Sequence, residues 1–417
     1  MTTKRILLSS LLLASQVGYA GMSNMKAPTD LPSAMVMPKG VRSLKLLRVS
    51  AGPTKNYDNV GDEKFLGDAM KKEVTYSEIL KTKKGIDKAG IKGAMASISG
   101  HNLDTVLMTT QGQVNIKADV TVPVFVWGVT EKWTLGFALP ITKQSTNVDT
   151  GVEQTSELVS LKKYLATSGG VPNTANKLVS DTMNPVAKSL ADKGFAPLKN
   201  ETTTKMGDLK IINKLRVFKN DKNMVTLGGE LTLPTGEERT YVNKLVDSAG
   251  GDGQTDLAIG VNHDFKTMKY LTLSSGLKYT VQFKDNFAGN VPENGSPISD
   301  LIDYNMDRDL GNEFEAAVAG TFNYRGAKLG LGYFYKNKEK DEYTGSKYDA
   351  ANYEEMGKDT DQVMHSLLAK VGYDTITLFK EKKFPIPLSV SLTQSFVPKG
   401  KNVIADDMTT FDFSMFF

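Results

Sequence analysis

Val114–Val126 reads VNIKADVTVPVFV: Val114, Ile116, Ala118, Val120, Val122, Val124 and Val126 alternate with Asn115, Lys117, Asp119, Thr121, Pro123 and Phe125. Period-two alternation places each set on its own face of an extended strand. The run is longer than the roughly 9–11 residues that a tilted strand needs to cross a bilayer core. Leu271–Phe283 repeats the pattern, with Leu271, Leu273, Leu277, Tyr279, Val281 and Phe283 on one face.

Working outward from these two stretches, twelve strand-like segments appear near 43–52, 113–128, 132–146, 207–219, 223–235, 254–265, 269–284, 311–325, 328–340, 361–374, 384–397 and 407–417. Their connections run 60, 3, 60, 3, 18, 3, 26, 2, 20, 9 and 9 residues. A sandwich has no reason to sort long and short loops alternately. An antiparallel transmembrane β-barrel with tight periplasmic turns and large extracellular loops does. The reading is therefore an all-β barrel over 43–417 with about 12 strands. Fourteen is the alternative, with two weakly strand-like stretches, Met95–Gly100 and Leu103–Thr110, inside 93–112. The long loops are 53–112 and 147–206, the second with helical patterning.

The strand ends carry suitable chemistry. Asn220, Asp221 and Lys222 suit one turn, Arg325 and Gly326 another. Outward strands finish at Leu139–Pro140, Leu233–Pro234 and Val397–Pro398, where a missing amide donor costs least. Pro123 falls inside a strand and implies either a bulge or a lateral gap. Trp127, Trp133, Phe265, Tyr270, Tyr324 and Tyr373 gather at the expected periplasmic boundary, and Phe283, Tyr335 and Phe396 at the outer one.

Residues 1–20 have the three parts of a secretory signal: Lys4 and Arg5, an apolar run from Ile6 to Ala14, and small residues up to Ala20. Cleavage near Ala20 leaves 21–42 as a periplasmic segment or short plug. Cysteine is absent, which excludes disulfides and thiolate sites. With 51 basic and 47 acidic residues, there is no basic excess of the kind nucleic-acid binding requires. The last strand ends in Phe411, Phe413, Met415 and Phe417 on one face. This resembles the C-terminal signature by which the barrel-assembly machinery recognises outer-membrane barrels; the barrel is expected to be a monomer, placed among outer-membrane lipid and lipopolysaccharide.

Strand parity proposes a lumen lined by Lys117, Asp119, Lys210, Lys214, Arg216, Glu230, Asp256, Lys278, Glu315, Lys338 and Lys370. Asp256 is expected opposite Lys278, Glu315 opposite Lys338, and Glu230 diagonally between Lys210 and Lys214. Such pairs either brace the wall or line a path. In the second long loop, Leu158, Leu161 and Leu165, then Leu178, Val179, Met183, Val186 and Leu190, follow helical spacing. They form either a lid that receives an apolar solute or a loop that packs on itself.

Asp300, Asp303, Asp307 and Asp309 lack the spacing of a calcium loop and read as a solvated acidic segment, with no metal or cofactor expected. The histidines are His101, His263 and His365, none with an evident Ser and acid partner, so no enzyme is expected.

Phe137–Ile141 (FALPI), Gly207–Arg216 (GDLKIINKLR), Leu231–Glu237 (LTLPTGE) and Gly250–Gly260 (GGDGQTDLAIG) together resemble the FadL-like group, including transporters encoded with phenol meta-cleavage pathways. The resemblance covers 114–417. It implies passive uptake of small hydrophobic or aromatic solutes across the outer membrane through a barrel with an N-terminal plug. Fourteen-stranded members have a longer hatch with an Asn-Pro-Ala step; here about twenty residues precede the first strand and that step is missing. The alternative function is a barrel whose loops bind a partner or surface ligand.

Overall fold

The computed structural model describes residues 25–417 except 69–70, 83–84, 101, 168–190, 198, 238–249, 294–298 and 406. Its centre is a closed antiparallel barrel. The wall consists of β1 (Arg42–Ala51), β2 (Val106–Gly128), β3 (Trp133–Ala138, continued as Ile141–Gln154) and β4 (Glu201–Met206, continued as Leu209–Lys219). It continues through β5 (Asn223–Leu233), β6 (Asp256–Lys266), β7 (Leu271–Gln282) and β8 (Glu313–Tyr324). β9 (Ala327–Lys338), β10 (Gln362–Asp374), β11 (Leu388–Lys401) and β12 (Met408–Phe416) complete it. Each strand pairs with its sequence neighbours, and β12 pairs with β1, from Ser43↔Phe416 to Ala51↔Met408. Closure removes the free edges that hydrocarbon could not satisfy.

The wall has twelve strands. The residues that offered two more as the alternative do otherwise: Gly85–Ile98 is a helix, and Val106 onward is the outer end of β2. Short turns follow their residues. Arg325 and Gly326 both have positive φ, 48° and 91°, the mirror-image turn that matches the twist of a two-residue hairpin. Asn220 accepts the Asn223 amide at 2.7 Å through its side chain.

Leu46, Leu215, Leu227, Ile259, Leu277, Val318, Leu331, Val371, Leu392 and Phe411 are exposed on the outer surface. In water such a continuous apolar band would aggregate; around a closed barrel it is the lipid-facing belt. Trp127, Phe265, Tyr270, Tyr324 and Tyr373 rim its periplasmic edge. Tyr270 meets Phe322 and Tyr324 edge-on, at 6.1 and 5.1 Å between ring centroids.

Above the belt, β2, β3 and β4 project outward and carry helices α1 (Tyr76–Thr82), α2 (Gly85–Ile98) and α3 (Ser156–Thr167). Tyr76, Ile91, Leu107, Met108, Leu158, Leu161 and Leu165 form a closed core there. A small sheet of Asp285–Asn290, Ile302–Asp309 and Glu342–Thr344 packs against α4 (Ala350–Met356). Beneath the barrel, the turn after β10 forms α5 (Ile376–Lys380).

Candidate functional site: a half-apolar lumen crossed by an N-terminal strap

Residues 25–41 run through the barrel. At the floor, the Gly40 amide donates to the Gly128 carbonyl at 2.8 Å, and Arg42 and Phe417 exchange backbone bonds at 2.8 and 3.0 Å. A Cβ on Gly128 would collide with the Pro38 backbone, so only glycine admits the chain here. Higher up, the Met37 amide donates to Thr134 Oγ1 at 2.8 Å, and Lys214 Nζ donates to the Ser33 carbonyl at 2.6 Å. Leu31 packs on Ala317, Phe334 and Leu368, pressed against Gly330 and Gly332. Asp30 pairs with Lys370 at 2.5 Å and with Lys45 at 3.7 Å. Ser395 Oγ and Lys336 Nζ donate to the Pro28 and Lys26 carbonyls at 2.6 and 2.9 Å, and the Met25 amide reaches Gln362 Oε1 at 2.8 Å. The segment expected as a periplasmic stretch or a short plug therefore runs up through the lumen, with Met25, the first described residue, near the extracellular mouth.

The lumen wall has two characters. On β4 to β12 the charges are paired, Lys210–Glu230 at 2.6 Å, Lys336–Glu315 at 2.9 Å and Lys278–Glu315 at 3.6 Å, and Asp412 of β12 pairs across the closing seam with Lys45 of β1 at 2.6 Å. Opposed charges in a restricted lumen brace the strands and leave little net field. On β1 to β3 the inner face is mostly aliphatic, with Leu47, Val49, Ile116, Ala118, Val120, Val122, Val124, Gly136 and Ala138, and its polar members are Lys45 on β1 and Thr134, Thr142 and Gln144 on β3. Between that face and the strap lies a cavity of about 1630 Å³. It runs from Ile376, Phe379 and Phe417 at the periplasmic end to Pro53, Asp252 and Ile404 at the other.

Lys117 and Asp119 are thus on the outside, a correction to their expected place in the lumen. The cause is register. Lys45 of β1 points inward to Asp412, while Leu44 and Leu46 are exposed outside. Cross-strand partners share a face, and Leu47↔Val122 and Val49↔Val120 turn the valines of β2 inward. Alternation in one strand defines two faces but does not say which is inside.

The remaining expected lumen residues divide. Lys210, Lys214 and Asp256 line the cavity, and Arg216 continues the Lys210 and Lys214 face of β4. Glu230 is opposite Ile212, diagonal to Lys210 and Lys214 as expected. Two pairings slip by one face-preserving step or more: Lys278 faces Gly260 and Asp256 faces Gln282, while Glu315 faces Lys336. Lys338 is fully buried at the extracellular end, bonded to Asp341 and outside the lumen path. Lys370 holds the strap. Asp30, Lys45, Lys336 and Asp412 were not singled out by parity; Lys45 was within its reach, since it lies in a predicted strand, but Asp30 lies in a segment with no period to read.

Leu158, Leu161 and Leu165 are fully buried within the extracellular core, which favours a loop packed on itself over a lid with an open apolar face. Leu178, Val179, Met183, Val186 and Leu190 lie outside the described residues, as does His101. His263 and His365 are on the outer face, bonded to Asn223 at 2.9 Å and Tyr333 at 2.7 Å. Asp303 accepts Tyr353 at 2.5 Å and Asp300 accepts Lys193 at 2.9 Å, so these carboxylates serve the loop. At the cavity's outer end, burial, with Asp208 nearby, pushes the Asp252 carboxyl above its ordinary range, against opposing pulls from Arg308 and Lys26.

No family description and no curated relative matches the chain. An outer membrane channel from Pseudomonas putida F1 superposes over 94% of this chain and 100% of its own, with a TM-score of 0.53 at 10% identity. The fold is that of an outer-membrane β-barrel. The P. putida toluene transporter TodX is a looser likeness, covering 91% of this chain and 90% of its own at TM-score 0.37 and 10% identity.

Proposed function

We propose that the chain is a monomeric outer-membrane channel for passive uptake of small hydrophobic or aromatic solutes, assembled through its C-terminal Phe417. The observation that carries this reading is the inward-facing apolar wall of β1 to β3 beside a continuous cavity. A porin for hydrophilic solutes lines its bore with polar groups. Here half of the bore is aliphatic, and the strap occupies the charged half. Apolar surface in contact with a solute favours its transfer by about 25 cal/mol per Å², so an aromatic solute gains on this wall what an ion does not. The FadL-like motifs at 137–141, 207–216, 231–237 and 250–260 point to the same solute class.

The test is uptake into proteoliposomes. Vesicles holding the full-length barrel are expected to equilibrate toluene or phenol faster than empty vesicles, with small ion conductance. A folded, heat-modifiable barrel that accelerates neither solute would overturn the reading and turn attention to loop-mediated binding.

A further inference from the structure

The inverted wall has an outer side as well. Where the inner face of β1 to β3 is mostly aliphatic, its outer face carries Arg48, Lys117, Asp119 and Lys143. One cross-strand row reads Thr409, Ser50, Asp119, Lys143 and Thr204; Arg48 lies in the row below, between Phe411 and Thr121; Lys117 lies in the row above, beside Ser145. Directly paired residues sit about 4.5–5.5 Å apart and diagonal ones about 7–8 Å, so the three cations surround Asp119 within one step. Lys117 approaches Asp119 only to 4.0 Å and is 69% exposed. Arg48 and Lys143 are exposed and make no ion pair among the described residues. Three basic groups thus face one carboxylate, flanked by the hydroxyls of Ser50, Thr121 and Thr204 and by the apolar belt.

The height of this patch identifies its ligand. Level with Arg48, at the lower edge of the patch, are Phe411, Ile141 and Met206, and Leu46 lies one row below, all exposed members of the lipid-facing belt. The long loops rise above it. The patch therefore sits at the outer-leaflet headgroup level, where a charged side chain is tolerated because it can reach interfacial groups. We infer that Arg48, Lys117 and Lys143 bind a phosphate of a phosphorylated glycolipid in the outer leaflet, whose acyl chains lie on Leu46, Phe411, Ile141 and Met206. A phosphate monoester brings nearly two negative charges and several acceptor oxygens. Arg48 can meet it with two parallel donors, the lysines as point charges, and Ser50, Thr121 and Thr204 as hydroxyl donors. Asp119, whose nearest cation is Lys117 at 4.0 Å, repels the phosphate and weakens the grip on it.

The experiment measures binding of bisphosphorylated, hexa-acylated lipid A to the full-length barrel in detergent by native mass spectrometry. R48A/K117A/K143A is expected to weaken binding at least about tenfold while heat-modifiability persists. D119N is expected to tighten it; because D119N removes charge rather than contacts, it tests the site even if the triple variant fails to fold. Dephosphorylated lipid A is expected to bind no better to wild type than lipid A does to the triple variant. Unchanged affinity in both variants, equal binding of the dephosphorylated lipid, or displacement by inorganic phosphate at concentrations matching the lipid would each overturn the inference, the last by making this a free-anion site.

Discussion

Asp30 joins the strap to the barrel. It takes Lys370 at 2.5 Å and Lys45 at 3.7 Å, and Lys45 in turn reaches Asp412 at 2.6 Å, so one carboxylate links β1, β10 and β12. Asp30→Asn keeps the shape and removes the charge, leaving Lys370 without its partner. A charge-assisted bond is worth about 1.5–3 kcal/mol, enough to raise the undocked population of the strap roughly tenfold or more. In planar bilayers the variant is expected to show more frequent conducting events than wild type; an identical record would mean that Leu31 and the backbone bonds alone fix the strap. Asp252 offers a second handle. Its carboxyl titrates above the ordinary value because burial and Asp208 disfavour its charge. Folding with a raised acid binds extra protons, so its contribution to stability is complete below the ordinary carboxylate value and is lost as pH rises through the raised one. Over the same window the outer mouth gains negative charge. Reversal potentials are expected to shift toward cation preference with rising pH, and Asp252→Asn to flatten that shift.

At the scale of elements, the strands were legible because membrane-crossing β structure leaves a period-two trace of fixed length, and loop lengths sorted the turns from the mouth. What one strand could not show was its own orientation. β2 has an aliphatic face and a mixed face, and lipid would accept Phe125 and Trp127 as readily as Val124 and Val126; only Lys45 in β1, paired with Asp412, settles the choice through register. The helix in the second long loop was readable from Leu158, Leu161 and Leu165, but its partners on α1 and α2 are distant in sequence, so its role was not. Being fully buried, Leu161 predicts its own test: Leu161→Ala should destabilise the extracellular cap by about 2–5 kcal/mol. Limited proteolysis is expected to cut near α3 faster than in wild type while the barrel still migrates as a folded species. Loss of the folded species as well would show that cap and barrel form one cooperative unit.

At the scale of the whole molecule, two properties of the lumen must be separated, because both reduce ion flow: the strap fills part of the bore, and the β1–β3 wall is mostly aliphatic. Removing residues 25–37 clears the charged side and leaves the apolar wall, so ion conductance should rise while passage of toluene is retained. Val122→Lys does the opposite. Val122 is inside, paired with Leu47, and an ammonium there holds water against the wall without changing the strap. Losing contact with even two buried methylene-sized groups costs an apolar solute about 1.6 kcal/mol, close to a tenfold loss of occupancy. Toluene equilibration in proteoliposomes is expected to fall by about that factor, with ion conductance equal to or above wild type. If Val122→Lys left toluene passage unchanged while strap removal increased it, filling alone would govern the channel, and the aliphatic wall would be packing for the strap rather than the path of the solute.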